Sequence, residues 1–145
     1  MTSLQILVVD DSLITVRKLS SMLTALGHRV VHTAGTGQEA LIAYESCKPD
    51  LVTMDITMPD MDGIEATRQI RDKFPDALII MVTSHGQEKM VLDALKAGAK
   101  GYVLKPFREE KLKEVIEAIV KRHLRSDKPP ERTPKIQSTA GDGAA

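Results

Sequence analysis

An α/β fold with a five-stranded parallel sheet and helices on both faces is predicted by three features of this chain. Short apolar runs alternate with segments of helical period, the pattern of repeated β-α units. Four of the runs break off at a polar residue: Ile6-Leu7-Val8-Val9 at Asp10-Asp11, Leu51-Val52-Thr53-Met54 at Asp55, Leu78-Ile79-Ile80-Met81-Val82 at Thr83-Ser84, and Tyr102-Val103-Leu104 at Lys105-Pro106. The length, 145 residues, suits one domain with a single core between two helix layers.

Each element has its own signal. Ser12 can cap a helix running to about Leu26, with Val16, Leu19, Leu23 and Leu26 on one face and Gly27 as its stop. Arg29 to Thr33 reads as a second strand, diluted by His32 and Thr33. Gly37 to Ser46 is a helix with Ala40, Leu41 and Tyr44 inward, ended by Lys48-Pro49. Gly63 to Lys73 is the third helix, followed by Pro75, and Gln87 to Ala97 the fourth, with Val91, Ala94, Leu95 and Gly98 spaced to face the sheet. The last helix carries the stripe Leu112, Val115, Ile116, Ile119, Val120, with Glu109-Glu110 at its positive end and Lys121-Arg122 at its negative end. From Ser126 the pattern stops. Residues 126–145 are rich in Pro, Gly and small polar types, so residues 1–125 are expected to form the domain and the rest a flexible tail or linker.

Composition favours no particular class of partner. Lys plus Arg total 20 and Asp plus Glu total 20, which gives no general argument for nucleic acid or an anionic membrane. The single Cys47 cannot form an internal disulfide, no apolar stretch is long enough to span a bilayer, and Met1 to Gln5 lack the features of a signal peptide. A cytoplasmic protein without membrane insertion is expected.

Chemistry enters at the strand ends. Open α/β sheets bind ligands outside the carboxyl ends of their strands, so three carboxylates, a hydroxyl and an amine would share one crevice. Three carboxylates together need a cation to remain ionised, and Mg²⁺ suits because it takes oxygen ligands and keeps water. Asp10-Asp11 would hold it, while Asp55 arrives alone and can attack a phosphoryl group to form an acyl phosphate. Lys105 can pair with one phosphoryl oxygen and Thr83 can donate to another. Pro106 would set a stiff turn, with a cis bond as one option.

From about Gln5 to Leu124 these features resemble the response-regulator receiver domains of two-component signalling, most closely their stand-alone chemotaxis type. Val8-Val9-Asp10-Asp11 is similar to the family's acidic pair, Met54-Asp55 through Asp62-Gly63 to its phosphoacceptor loop, Thr83-Ser84 to its switch hydroxyl and Lys105-Pro106-Phe107 to its lysine turn. The resemblance implies a flavodoxin-like sheet in the order 2-1-3-4-5. It also implies that Asp55 accepts the phosphoryl group, with Thr83 and Lys105 assisting. Asp11, Asp55 and the Thr57 backbone carbonyl would bind Mg²⁺ directly and Asp10 mainly through water. Thr83 and Tyr102 would form the switch, and the small Ser84 leaves the phosphoryl path open. The implied partners are a histidine kinase as phosphodonor and a downstream protein on the face of the fourth helix, fifth strand and fifth helix, without direct nucleic-acid binding.

Other readings are weaker. Gly35-Thr36-Gly37-Gln38-Glu39-Ala40 matches a dinucleotide fingerprint, yet it follows the second strand, and Asp10-Asp11 would repel a pyrophosphate. His28, His32, His85 and His123 lack ligand spacing and read as surface residues. Basic residues of the last helix are interleaved with Glu109, Glu110, Glu114 and Glu117, which suggests a solvated face. The chain therefore reads as a phosphorylation switch that also dephosphorylates itself, not a metabolic enzyme. A receiver half cut from a DNA-binding or enzymatic regulator is the alternative; a hydrolase of external substrates would need a pocket that these short loops do not supply.

Overall fold

The structure, a computed structural model, describes residues 3–123. The expected tail from Ser126 lies outside the described residues. Ten elements alternate along the chain: β1 (Gln5–Val9), α1 (Leu13–Ala25), β2 (Arg29–Ala34), α2 (Gly37–Cys47), β3 (Leu51–Met54), α3 (Gly63–Lys73), β4 (Ile79–Thr83), α4 (Glu88–Ala97), β5 (Gly101–Leu104) and α5 (Glu109–His123). Contacts divide the chain after Val115, within α5, and the first unit holds every strand and the site described below. Of the second unit, Ile116 and Ile119 on the rest of α5 are buried.

The five strands form one sheet in the order β2-β1-β3-β4-β5, with every pair parallel. A parallel sheet covered on both faces buries strand residues of both parities, which is why its strands read as continuous apolar runs. Here β1 from Ile6, all of β3 and all of β4 are buried. Leu7, Val9, Val52, Met54, Ile79 and Met81 share one cluster with Ala40, Ala43, Tyr44, Ile64, Ile70 and Ala94 from α2, α3 and α4. The diluted second strand sits at the edge, where only Ala34 is buried.

The expected Ser12 cap forms, joined by two more at α2 and α3. Ser12 accepts from the Thr15 N–H, Thr36 from Glu39 and Asp62 from Glu65. Gly27 and Gly98 take positive φ, 94° and 115°, at the ends of α1 and α4. One inward assignment fails: Leu95 is 46 % exposed, and α4 instead buries Ala94 and Ala97. At 3.6 residues per turn, Leu95 points about 100° away from Ala94, so a face centred on two alanines leaves it outside.

The glycine-rich hexapeptide is a helix cap. Thr36 caps α2, while the Glu39 carboxylate reaches back to the Gly35 N–H at 2.9 Å, a variant of the reciprocal capping box. The Gly37 and Gln38 N–H groups donate to the Asp60 carboxylate at 3.1 and 3.2 Å. The anion-binding end of α2 is thus filled by the chain's own carboxylate.

Gly63 opens α3 hard against the backbone of Asp55. Its N–H donates to the Ile56 carbonyl at 2.7 Å, and a Cβ built on it would lie 1.9 Å from the Asp55 carbonyl oxygen. No side chain fits there without moving the helix or the loop after β3. Gly63→Ala is expected to cost about 1–3 kcal/mol by overpacking, read as a lower denaturation midpoint. An unchanged midpoint would show that α3 can retreat from Asp55 without cost.

Candidate functional site

Site residues follow their strands immediately, and the sheet's hydrogen bonding carries on into them. The Asp10 N–H donates to the Ala34 carbonyl and the Asp55 N–H to the Val9 carbonyl, both at 2.9 Å; the Lys105 N–H donates to the Thr83 carbonyl at 2.8 Å. Parallel register therefore sets Asp10, Asp55 and Lys105 along one edge. The Lys105-Pro106 peptide is cis.

Their side chains meet there. Lys105 Nζ lies 2.8 Å from Asp10 Oδ2 and 3.5 Å from Asp55 Oδ2. Asp10 and Asp55 are 3 % and 7 % exposed. The Ser12 N–H donates to Asp10 Oδ1 and the Ile56 N–H to Asp55 Oδ1, each at 2.9 Å. Burial pushes the Asp55 carboxyl above the ordinary aspartate range and the neighbouring Asp10 carboxylate adds to the rise, against the opposing pull of Lys105 and the Ile56 N–H. Two buried carboxylates thus share one ammonium, and Asp11 is exposed beside them.

These residues fit a hard divalent cation. Asp10, Asp11 and Asp55 each present a carboxylate oxygen, all within 4.8 Å of one another. The donors are all oxygen, and one ammonium does not balance three carboxylates. Such a set suits Mg²⁺, which prefers few carboxylates and retains water. Both Asp10 oxygens accept hydrogen bonds, from the Ser12 N–H and from Lys105, whereas Asp11 is exposed.

The remaining candidates lie one layer out. Thr83 is fully buried as the last residue of β4, and its Oγ1 accepts from the His85 N–H at 3.3 Å rather than meeting the carboxylates. Tyr102, half-buried on β5, donates its hydroxyl to the His85 carbonyl at 2.5 Å. Thr57 is exposed two residues past Asp55, with Oγ1 2.6 Å from His85 Nε2. The expectation that His85 is a plain surface residue is corrected here, since a ring hydrogen bond holds it half-buried. His28 is likewise tied in, accepting from the Leu4 N–H at 3.1 Å. No sequence spacing announces the Thr57–His85 pair, 28 residues apart.

Comparison with known proteins agrees with this geometry. The model of the response regulator receiver domain family matches residues 6–117. This chain belongs to that family. The receiver is 42 % identical over 118 residues to the chemotaxis protein CheY of Listeria monocytogenes, a match covering 81 % of this chain and 99 % of that protein. It is 51 % identical over 83 residues to an uncharacterized transcriptional regulatory protein, YhcZ, of Bacillus subtilis, covering 57 % of this chain but only 39 % of that one. Among solved structures, the CheX-CheY-BeF3-Mg+2 complex of Borrelia burgdorferi has a chain with a TM-score of 0.78 and 38 % identity, covering 79 % of this chain and 87 % of that one. The protein is a CheY-like receiver, and its fold and its place in phosphorylation-dependent signalling follow.

The raised carboxyl of Asp55 fixes a sign. An acid that binds its proton more tightly when folded contributes stability at low pH and loses it as pH rises through the folded value. In metal-free buffer Asp55→Asn should therefore raise the melting temperature at neutral pH, with a gap that closes on acidification toward the ordinary aspartate value of 3.8. Thermal melts across that range decide it. A lower melting temperature for the variant at neutral pH would mean that Lys105 fully offsets the burial and the Asp10 repulsion.

Proposed function

We propose that this receiver accepts a phosphoryl group from the phosphohistidine of a histidine kinase onto Asp55, and that it acts as a stand-alone chemotaxis-type switch. The observation that carries this reading is the buried Asp55 carboxylate, with Lys105 Nζ at 3.5 Å and the oxygens of Asp10 and Asp11 within 4.8 Å. An Asp55 carboxylate oxygen attacks phosphorus, the P–N bond to the donor imidazole breaks, and that nitrogen keeps the electron pair. Lys105 offers its ammonium to the transferred oxygens. Mg²⁺ held by Asp11, Asp55 and the Thr57 carbonyl, with Asp10 acting through water, would neutralise the charge gathered there. Later, water attacks phosphorus, the P–O bond to Asp55 breaks, and inorganic phosphate leaves.

Signalling then depends on Thr83 and Tyr102. Thr83 would turn its hydroxyl from the His85 N–H toward a phosphoryl oxygen, and Tyr102 would respond at the neighbouring strand. The output surface is α4, β5 and the start of α5, where Leu92, Leu95 and Leu104 stand 47 %, 46 % and 49 % exposed. Exposed leucines at this density suit a protein partner better than nucleic acid. We assign residues 1–125 to the receiver and 126–145 to a tail or linker, and place the protein in the cytoplasm. Among the described residues no helix is long and apolar enough to cross a membrane.

A second reading keeps the same chemistry but makes the chain the receiver half of a longer DNA-binding or enzymatic regulator. The partial match to a transcriptional regulatory protein favours it. The full reading frame separates the two.

The proposal is tested with a small phosphodonor. Acetyl phosphate with Mg²⁺ should label Asp55 alone, Asp55→Asn should abolish the label, and Asp11→Ala should weaken Mg²⁺ binding and labelling together. Peptide mapping of acid-labile phosphate is the measurement. Undiminished phosphate on Asp55→Asn would remove Asp55 from its role.

A further inference from the structure

His85 uses three groups to hold three site residues. Its ring Nε2 meets Thr57 Oγ1 at 2.6 Å, its N–H donates to Thr83 Oγ1 at 3.3 Å, and its carbonyl accepts from the Tyr102 hydroxyl at 2.5 Å. Thr57 belongs to the loop after β3, Thr83 ends β4, and Tyr102 lies on β5 opposite Met81. One residue thus spans the acceptor loop, the switch hydroxyl and the switch aromatic.

We infer that His85 is a positioning residue that couples the acceptor loop to Tyr102, through its ring on one side and its carbonyl on the other. A single exposed hydrogen bond would have little net worth, because water replaces it. This one is anchored at both ends. The Tyr102 hydroxyl is half-buried and bonds the His85 carbonyl, so a shift of the His85 backbone changes the setting of the ring. The following residue extends the linkage to the surface. A Cβ on Gly86 would lie 3.2 Å from a Leu104 methyl, so the loop rests on one of the exposed leucines of the output surface. Movement at Thr57 is carried by the imidazole to the carbonyl that Tyr102 uses and to the backbone lying on Leu104. Coupling of this kind is reciprocal: fixing Tyr102 also restricts Thr57.

The linkage deepens the proposed switch but exists before any phosphoryl group arrives, so its test uses none. In the full chain without metal or donor, the ring resonances of Tyr102 are followed by NMR, with Tyr44, the other of the two tyrosines, as the marker of an intact core. Thr57→Val and His85→Ala should displace the Tyr102 resonances in the same direction with Tyr44 unmoved. Thr57→Ser, which keeps the hydroxyl, should restore the wild-type position, and the double variant should move Tyr102 no further than His85→Ala alone. Should Thr57→Val disturb Tyr44, the contrast of Thr57→Ala with Thr57→Ser decides. Wild-type Tyr102 resonances in the hydroxyl-free variants, or displacements that add in the double variant, would overturn the coupling.

Discussion

Asp10 and Asp55 stand side by side in a buried site because Lys105 bridges them. Burial raises the cost of ionising Asp55, and the neighbouring Asp10 carboxylate adds to it. A single ammonium, 2.8 Å from one carboxylate and 3.5 Å from the other, relieves that cost in part. Asp55 remains above the ordinary aspartate range, so the site retains an unmet demand for positive charge. A cation held by the same oxygens would meet it, and a phosphoryl group would bring both negative charge and further oxygen ligands. The fold's contribution is placement. Parallel pairing puts the residues after β1, β3 and β5 on one edge, where their N–H groups donate to the carbonyls of Ala34, Val9 and Thr83 and hold each of them.

Placement of the acceptor also depends on what is missing at Gly63. Where α3 starts, its first residue lies so close to the Asp55 carbonyl that even a methyl group would collide. The loop between them is pinned at its other side by Asp60, whose carboxylate caps α2 and whose φ of 68° makes the turn that brings it there. The acceptor loop is therefore fastened to both α2 and α3. Its exposed member, Thr57, is left to reach across to the loop after β4.

Much of this was legible in the residues. Apolar runs at Ile6, Leu51 and Ile79 mark buried parallel strands because a sheet covered on both faces leaves no polar parity, and their ends named Asp10, Asp55 and Thr83 directly. Helix α3 has the predicted bounds, since Asp62 and Gly63 mark its start. Leu95 misled because Val91, Ala94 and Leu95 fit a helical face by spacing, while the real face is set by how closely Ala94 and Ala97 let α4 approach. His85 stayed hidden for another reason. Its partners, Thr57 at one side and Tyr102 at the other, come from different β-α units, and only the finished sheet brings them together. Periodicity reports what faces the core, whereas hydrogen bonds between loops depend on tertiary placement.

We propose that a group arriving at Asp55 is felt at α4 and β5 through Thr83. Amide chemical shifts measured on adding beryllofluoride and Mg²⁺, the former standing in for the aspartyl phosphoryl group, test it most directly. The wild type should show large shifts both around Asp55 and across residues 87–104. Thr83→Ala touches neither nucleophile nor metal ligand, so its shifts around Asp55 should persist while those across residues 87–104 largely vanish. Full-sized shifts across 87–104 in the variant would contradict the claim and leave Thr83 as a ligand without a part in transmission.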